Sequence, residues 1–186
     1  PCKNYTHKSK YVLPVPPSPN LKDMGAIYWY PSTCFFEGTV LSEGRGTEHP
    51  FEIFGHPSFD KQLFAFTPVA GTGAAKPKLM NELCFGWNMH RLTTDSTLKE
   101  LNGRLQLHWL LQAYKMFTDK ESFFLKPQKF HASPTDYFFN KLAGNALLMQ
   151  QIKTNATENE IRKSWQPGIE AFKKFRKKYL LYADFY

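Results

Sequence analysis

Cysteine is scarce in this 186-residue chain, and the three present, Cys2, Cys34 and Cys84, include no C-x-x-C pair. An odd count at wide spacing argues against a disulfide scaffold and against a cysteine-based zinc cluster. Spacing assigns no bridge among the three. No apolar run approaches the ~18 residues of a membrane span, so an integral helical membrane protein is excluded. Arginine, the residue that reads base edges, occurs only five times. The usual enzyme signatures are missing as well: there is no G-x-x-x-x-G-K-[ST], no H-E-x-x-H and no G-x-S-x-G. The six histidines are scattered, and His49 and His56 fit no common metal spacing. No metal and no cofactor are expected. The chain starts at Pro1 without an initiator methionine or a signal-type apolar region, so an upstream segment is expected.

What the chain has in excess is aromatic surface and positive charge. Phe, Trp and Tyr make up 16% of the residues, enough for a folded body with a real core. The net charge is +8, but residues 1–22 carry +4, residues 160–186 carry +4, and residues 23–159 sum to zero. A nucleic-acid reader spreads its cations over one face, so charge confined to the two ends argues against a nucleic-acid partner.

Along the chain, residues 11–20 hold four prolines and predict extended polyproline II. That segment is either an interdomain linker or a rail that fixes Asn20. Ser32–Glu37 reads as a short β-prone run, Phe51–Phe54 as a short apolar stretch, and Phe64–Thr67 as a strand. Residues 82–90 alternate with a period of two and predict a half-buried strand. Gly71-Thr72-Gly73-Ala74-Ala75 reads as a mobile loop rather than a phosphate turn.

The second half carries helix signals. Thr97 and Glu100 read as a capping box ahead of one helix through Leu98, Leu105, Trp109 and Phe117. Ser133-Pro134-Thr135-Asp136 and Thr157 with Glu160 mark two further starts. Pro167-Gly168 should end the helix that Thr157 begins. A last helix through Ile169, Phe172, Phe175 and Tyr179 should pack its apolar face on the core and leave a basic face in water. The fold class is α+β, with short strands and long loops first and helices second.

The chemistry is concentrated in residues 30–60. Glu37, Glu43 and Glu48 lie there with Arg45, Ser42, Thr47, His49 and His56. Gly44 and Gly46 flank Arg45 and permit a turn with positive φ close to a ligand. A guanidinium on such a turn suits bidentate capture of a carboxylate or phosphate. Alternatively, Arg45 pairs with Glu37 or Glu43 and pins the loop. Paired carboxylates are also the equipment of glycoside hydrolysis.

In this context a resemblance emerges. Pro16-Pro17-Ser18-Pro19-Asn20, Tyr30-Pro31, Phe36-Glu37-Gly38-Thr39, Leu41-Ser42-Glu43-Gly44-Arg45-Gly46-Thr47, Pro50-Phe51 and Gly55-x-Pro57-x-x-Asp60 occur in this order. Together they resemble the C-terminal half of the DUF1343 (YbbC-like) family, which includes exo-β-N-acetylmuramidases. Weaker echoes at Cys84-Phe85-Gly86, Asp136-Tyr137, Leu142-Ala143-Gly144 and Tyr179 to Tyr182 extend it over nearly the whole chain. Val40 and Lys22 depart from the family pattern.

The resemblance implies residues 1–22 as an interdomain linker and 23–186 as a C-terminal domain forming one wall of a substrate cleft. A Rossmann-like N-terminal domain would complete the cleft, and the protein would be exported. Peptidoglycan-derived glycans and the missing domain are the implied partners. Arg45 would bind the lactyl carboxylate of N-acetylmuramic acid or orient a catalytic carboxylate, with Ser42, Thr47 and Asn20 as polar neighbours. Glu43 and Glu37 are the candidate catalytic residues of this chain, the principal acids lying in the absent domain. The rival reading is a non-catalytic peptidoglycan- or carbohydrate-binding module.

Overall fold

The structure, a computed structural model, describes residues 9–91 and 93–180. Cys2, Lys3 and Lys8 of the sequence argument, and the end of the Tyr179 to Tyr182 motif, lie outside the described residues. The architecture is α+β: a small antiparallel sheet with helices before and after it. Its strands are β1 (Ile53–His56), β2 (Phe64–Phe66) and β3 (Cys84–Asn88), in the order β1-β3-β2. Gly55 faces Gly86 across β1 and β3, and Phe64 faces Gly86 from the other side.

The expected β-prone run, residues 32–37, falls instead within a helical stretch, residues 24–38. They form helix α1 (Met24–Thr33) followed by a 3-10 turn over Cys34–Gly38. Asp23 caps α1 by accepting a hydrogen bond from Ala26 N at 2.9 Å. The aromatic residues here favour strands locally, but burial decides: Trp29 and Phe36 are enclosed, and Phe36 stacks on Phe54 at 4.2 Å. Fully burying each such ring contributes roughly 1.5–3 kcal/mol, more than local propensity costs.

The helical half also breaks differently from the sequence pattern. Helix α2 (Thr94–Leu101) starts one turn early, because Thr93, not Thr97, caps it by accepting from Ser96 N. It ends at Asn102, which takes the left-handed conformation at φ 49° with Gly103 following at 63°. A new helix, α3 (His108–Met116), then carries Leu110 and Ala113 into the core. Short helices α4 (Phe138–Ala143) and α5 (Leu147–Lys153) follow.

Helix α6 (Glu158–Arg176) begins with the expected capping box at Thr157 and Glu160 but runs straight through Pro167. Proline removes one backbone donor and crowds the preceding turn, a local cost that the 19-residue helix absorbs. Its last turns do not pack as expected, since Phe172, Phe175 and Tyr179 are 59%, 57% and 64% exposed.

A single core, including Trp29, Phe54, Phe123, Phe139, Leu107 and Ile161, joins α1, the sheet and the later helices. On the other side of the sheet Ile53, Phe66 and Cys84 form a smaller cluster. Cys34 and Cys84 are free thiols, and burial pushes them up to about 11 and about 12. No helix among the described residues is long and apolar enough to cross a membrane.

The 3-10 turn ahead of α4, Pro134–Asp136, carries an acid-sensitive contact. Asp136 accepts from Lys129 Nζ at 2.6 Å and from Ser133 N at 2.9 Å, which together hold its carboxyl down at about 2. A depressed folded value stabilises fully above the unfolded value of 3.8 and is lost as pH falls through about 2. Wild type is therefore expected to exceed Asp136→Asn in urea stability near about pH 6, with the gap closing near about pH 2.

Candidate functional site

The loop between the Cys34–Gly38 turn and β1 is sewn to the sheet. Ser42 N donates to Gly55 O at 2.9 Å, and Gly55 N returns a bond to Ser42 O at 3.1 Å. Gly44 and Gly46 adopt φ of 78° and 80°, as the sequence required. Space demands them too: a Cβ on Gly46 would meet Val69 O at 2.4 Å. Thr47 closes the turn, with its hydroxyl donating to Gly44 O at 2.6 Å.

Arg45, carried on this turn, is engaged twice. Its Nη2 lies 2.8 Å from Glu37 Oε2 and its Nε 3.2 Å from Glu43 Oε1. The guanidinium also covers the Phe51 ring at 5.0 Å, and Tyr30 meets that ring edge-on at 4.8 Å. Burial and the nearby Glu37 carboxylate push the Tyr30 phenol up. The side chains of Arg45 and Glu37 are 30% and 16% exposed, so this pair reaches the surface.

Glu43 is buried, and its second oxygen is held by Lys78, whose Nζ lies 2.8 Å from Oε2. The same ammonium donates to the carbonyls of Phe36 at 2.7 Å and Thr39 at 2.8 Å. Burial pushes the Lys78 pKa down, and Glu43 opposes that push. Two cations and two carboxylates thus form one chain, Glu37–Arg45–Glu43–Lys78, with no net charge. Lys78 was invisible to the sequence argument, because it sits 35 residues beyond Glu43 in an unremarkable Lys-Pro-Lys stretch.

A cavity of about 630 Å³ opens on the other side of the turn. Asn20, Lys22, Thr47 and Glu48 supply polar groups to its wall, and Phe66 and Val69 supply apolar surface. Asn20 is fixed there by donating from Nδ2 to Gly73 O at 2.8 Å. The Gly71–Ala74 segment forms a two-bond turn that completes this wall.

The six candidate residues therefore separate into two places. Arg45, Glu37 and Glu43 come together in the ion-pair chain, whereas Asn20 and Thr47 line the cavity. Ser42 does neither. It is buried, and its hydroxyl accepts from Gly44 N at 3.2 Å, so it shapes the turn.

Behind the cavity stands a further group that sequence reasoning missed. His49 stacks on His90 at 3.8 Å, and both rings face the buried carboxylate of Glu52. His56 lies apart from this group and contacts Ser58 and the Phe117 ring. His108 is exposed, with its ring 4.3 Å from that of Trp109, and the partial desolvation there pushes its pKa down.

A family profile described as "Exo-beta-N-acetylmuramidase NamZ, C-terminal" matches residues 28–182. The chain belongs to this family. The NamZ C-terminal match takes in the second part of α1, the Arg45 turn, the sheet and all the later helices. The chain is 30% identical over 183 aligned residues to the peptidoglycan beta-N-acetylmuramidase NamZ of Bacillus subtilis (strain 168), covering 89% of this chain and 40% of that protein. It is also similar to the crystal structure of a DUF1343 family protein from Bacteroides fragilis NCTC 9343, with a TM-score of 0.83 and 40% identity. That match covers 98% of this chain and 48% of the other. The chain thus spans less than half the length of either relative.

Proposed function

We propose that this chain is the C-terminal domain of an exported exo-β-N-acetylmuramidase that hydrolyses terminal N-acetylmuramic acid from peptidoglycan fragments. It supplies one wall of the substrate cleft, and the remaining portion of the longer protein supplies the principal catalytic acids. The observation that carries this reading is the Arg45–Glu37 pair, partly exposed beside Tyr30 on a turn that lies within the family match. A guanidinium already shared between two carboxylates is better suited to orienting Glu37 than to capturing a third carboxylate. Arg45 is accordingly a positioning residue for Glu37.

Glu43 has a different part. Both its oxygens are taken by cations, which leaves it to hold the turn rather than to touch a glycan. The cavity next to the turn is of a size that accepts a small ligand, and its polar rim over apolar surface suits a sugar ring.

The same commitments favour a binding role for the chain by itself, because glycoside hydrolysis needs two carboxylates free to act on one bond. A chromogenic N-acetylmuramic acid glycoside separates the possibilities. The full-length protein is expected to turn it over, and the 186-residue chain alone to bind fragments without hydrolysis. Equal turnover by the isolated chain, or a full-length protein inactive on the muramic glycoside, would overturn the assignment. Export is tested by locating the full-length protein in fractionated cells.

A further inference from the structure

Four side chains from separated segments converge beside the cavity: Asp23 at the cap of α1, His49 and Glu52 in the loop before β1, and His90 just beyond β3. One donor atom from each lies within 4.8 Å of every other. His90 Nδ1 is 3.1 Å from Glu52 Oε2, and His49 Nδ1 is 3.7 Å from the same oxygen. Tetrahedral coordination at ~2.0–2.2 Å separates neighbouring ligand atoms by about 3.3 Å, and these two distances bracket that value.

A second observation also points to a ligand. The Glu52 side chain is fully buried, yet its Oε1 has no hydrogen-bond partner, and neither does the buried Nδ1 of His49. Leaving such groups unsatisfied costs about 1–3 kcal/mol each, so native interiors rarely tolerate two side by side. The carboxylate is also wedged in place, since a Cβ on Gly25 would lie 2.4 Å from Oε1. Arg91, a neighbouring cation, is engaged with Glu100, its Nε 2.9 Å from Oε2.

We propose that Asp23, His49, Glu52 and His90 form a binding site for one divalent transition cation of the Zn²⁺ type. Two imidazoles with two carboxylates are a borderline donor set, which favours Zn²⁺ over Mg²⁺ or Ca²⁺. The ion gives the orphaned His49 Nδ1 its missing partner through the Glu52 carboxylate side of the cluster and ties the start of α1, the Arg45 loop and the end of β3 into one bracket. The ring planes, now 22° apart, open further so that both nitrogen lone pairs meet at the ion. Spacing along the chain pointed away from a metal because these ligands come from positions 23, 49, 52 and 90. The site shares no residue with the Arg45 ion-pair chain and stands whether or not the cleft reading does.

The test is Zn²⁺ titration of the chelator-stripped chain by calorimetry, with Co²⁺ as a visible-absorption reporter. One equivalent of Zn²⁺ is expected, with a rise in Tm that grows with Zn²⁺ concentration. Since losing a supporting contact alone weakens metal sites 10–100-fold, His90→Ala and Glu52→Gln are each expected to lose at least about 100-fold in affinity. His131→Ala, on an exposed histidine, should bind as wild type does. Circular dichroism checks folding, and the conservative His49→Gln decides the matter if His90→Ala unfolds. No stoichiometric binding, equal affinity in wild type and the ligand variants, or a Co²⁺ spectrum without nitrogen coordination would overturn the site.

Discussion

Arg45→Ala in the full-length protein is expected to lower turnover of muramic-acid and glucosamine glycosides alike, by about 100-fold. The guanidinium is the only described cation bridging Glu37 and Glu43, at 2.8 and 3.2 Å. Without it the Glu37 carboxylate loses its fixed orientation at the surface, and a misplacement of about 1 Å costs on that order in rate. Arg45 does not line the cavity, so KM should change much less than kcat. Arg45→Lys should recover little, because a single ammonium cannot reproduce the fork that reaches two carboxylates. A loss confined to the muramic substrates would instead make Arg45 the reader of the lactyl carboxylate and overturn its positioning role.

Glu43→Ala is expected to be the most destabilising change in the loop. The substitution removes the buried carboxylate between Arg45 and Lys78 and leaves the half-buried Lys78 ammonium with carbonyl partners only. Breaking one side of a buried pair costs about 3–5 kcal/mol, which for a chain of this length lowers Tm on the order of 10 °C. The paired replacement Glu43→Leu with Lys78→Met should recover most of that loss, since an apolar pair of similar volume leaves no stranded charge. Thermal melts of the two single variants and the double variant measure the coupling directly. A Glu43→Ala melt within about 2 °C of wild type would show that the carboxylate is not part of the loop's support.

The two predictions differ in how far the sequence foresaw their basis. That Arg45 sits on a tight turn was legible, because Gly-Arg-Gly leaves the backbone little else to do, and both glycines take positive φ. The α+β class was legible from the alternation of residues 82–90 and from the cap residues Ser133 and Thr157. The resemblance carried by residues 16–60 led to the family that the profile match shows. Local signals failed where burial outweighed them. Ser32–Glu37 looks β-prone, yet the adjacent rings of Phe35 and Phe36 both reach the core only if the chain coils. Pro167 looked like a stop, yet the helix continues past it to Arg176.

Sequence alone determined the +8 and its placement at the two ends, the neutral middle, the glycine turn and the kinship. It could not choose between Arg45 as a free ligand reader and Arg45 as a paired residue. Only the tertiary structure shows the pairing itself, bringing Lys78 to Glu43 and setting Arg45 between Glu37 and Glu43. It also gathered Asp23, His49, Glu52 and His90, which no spacing rule links. The reason is physical. Backbone conformation is set by neighbours in sequence, whereas the partner of a charge is set by whatever the packed core brings within about 4 Å.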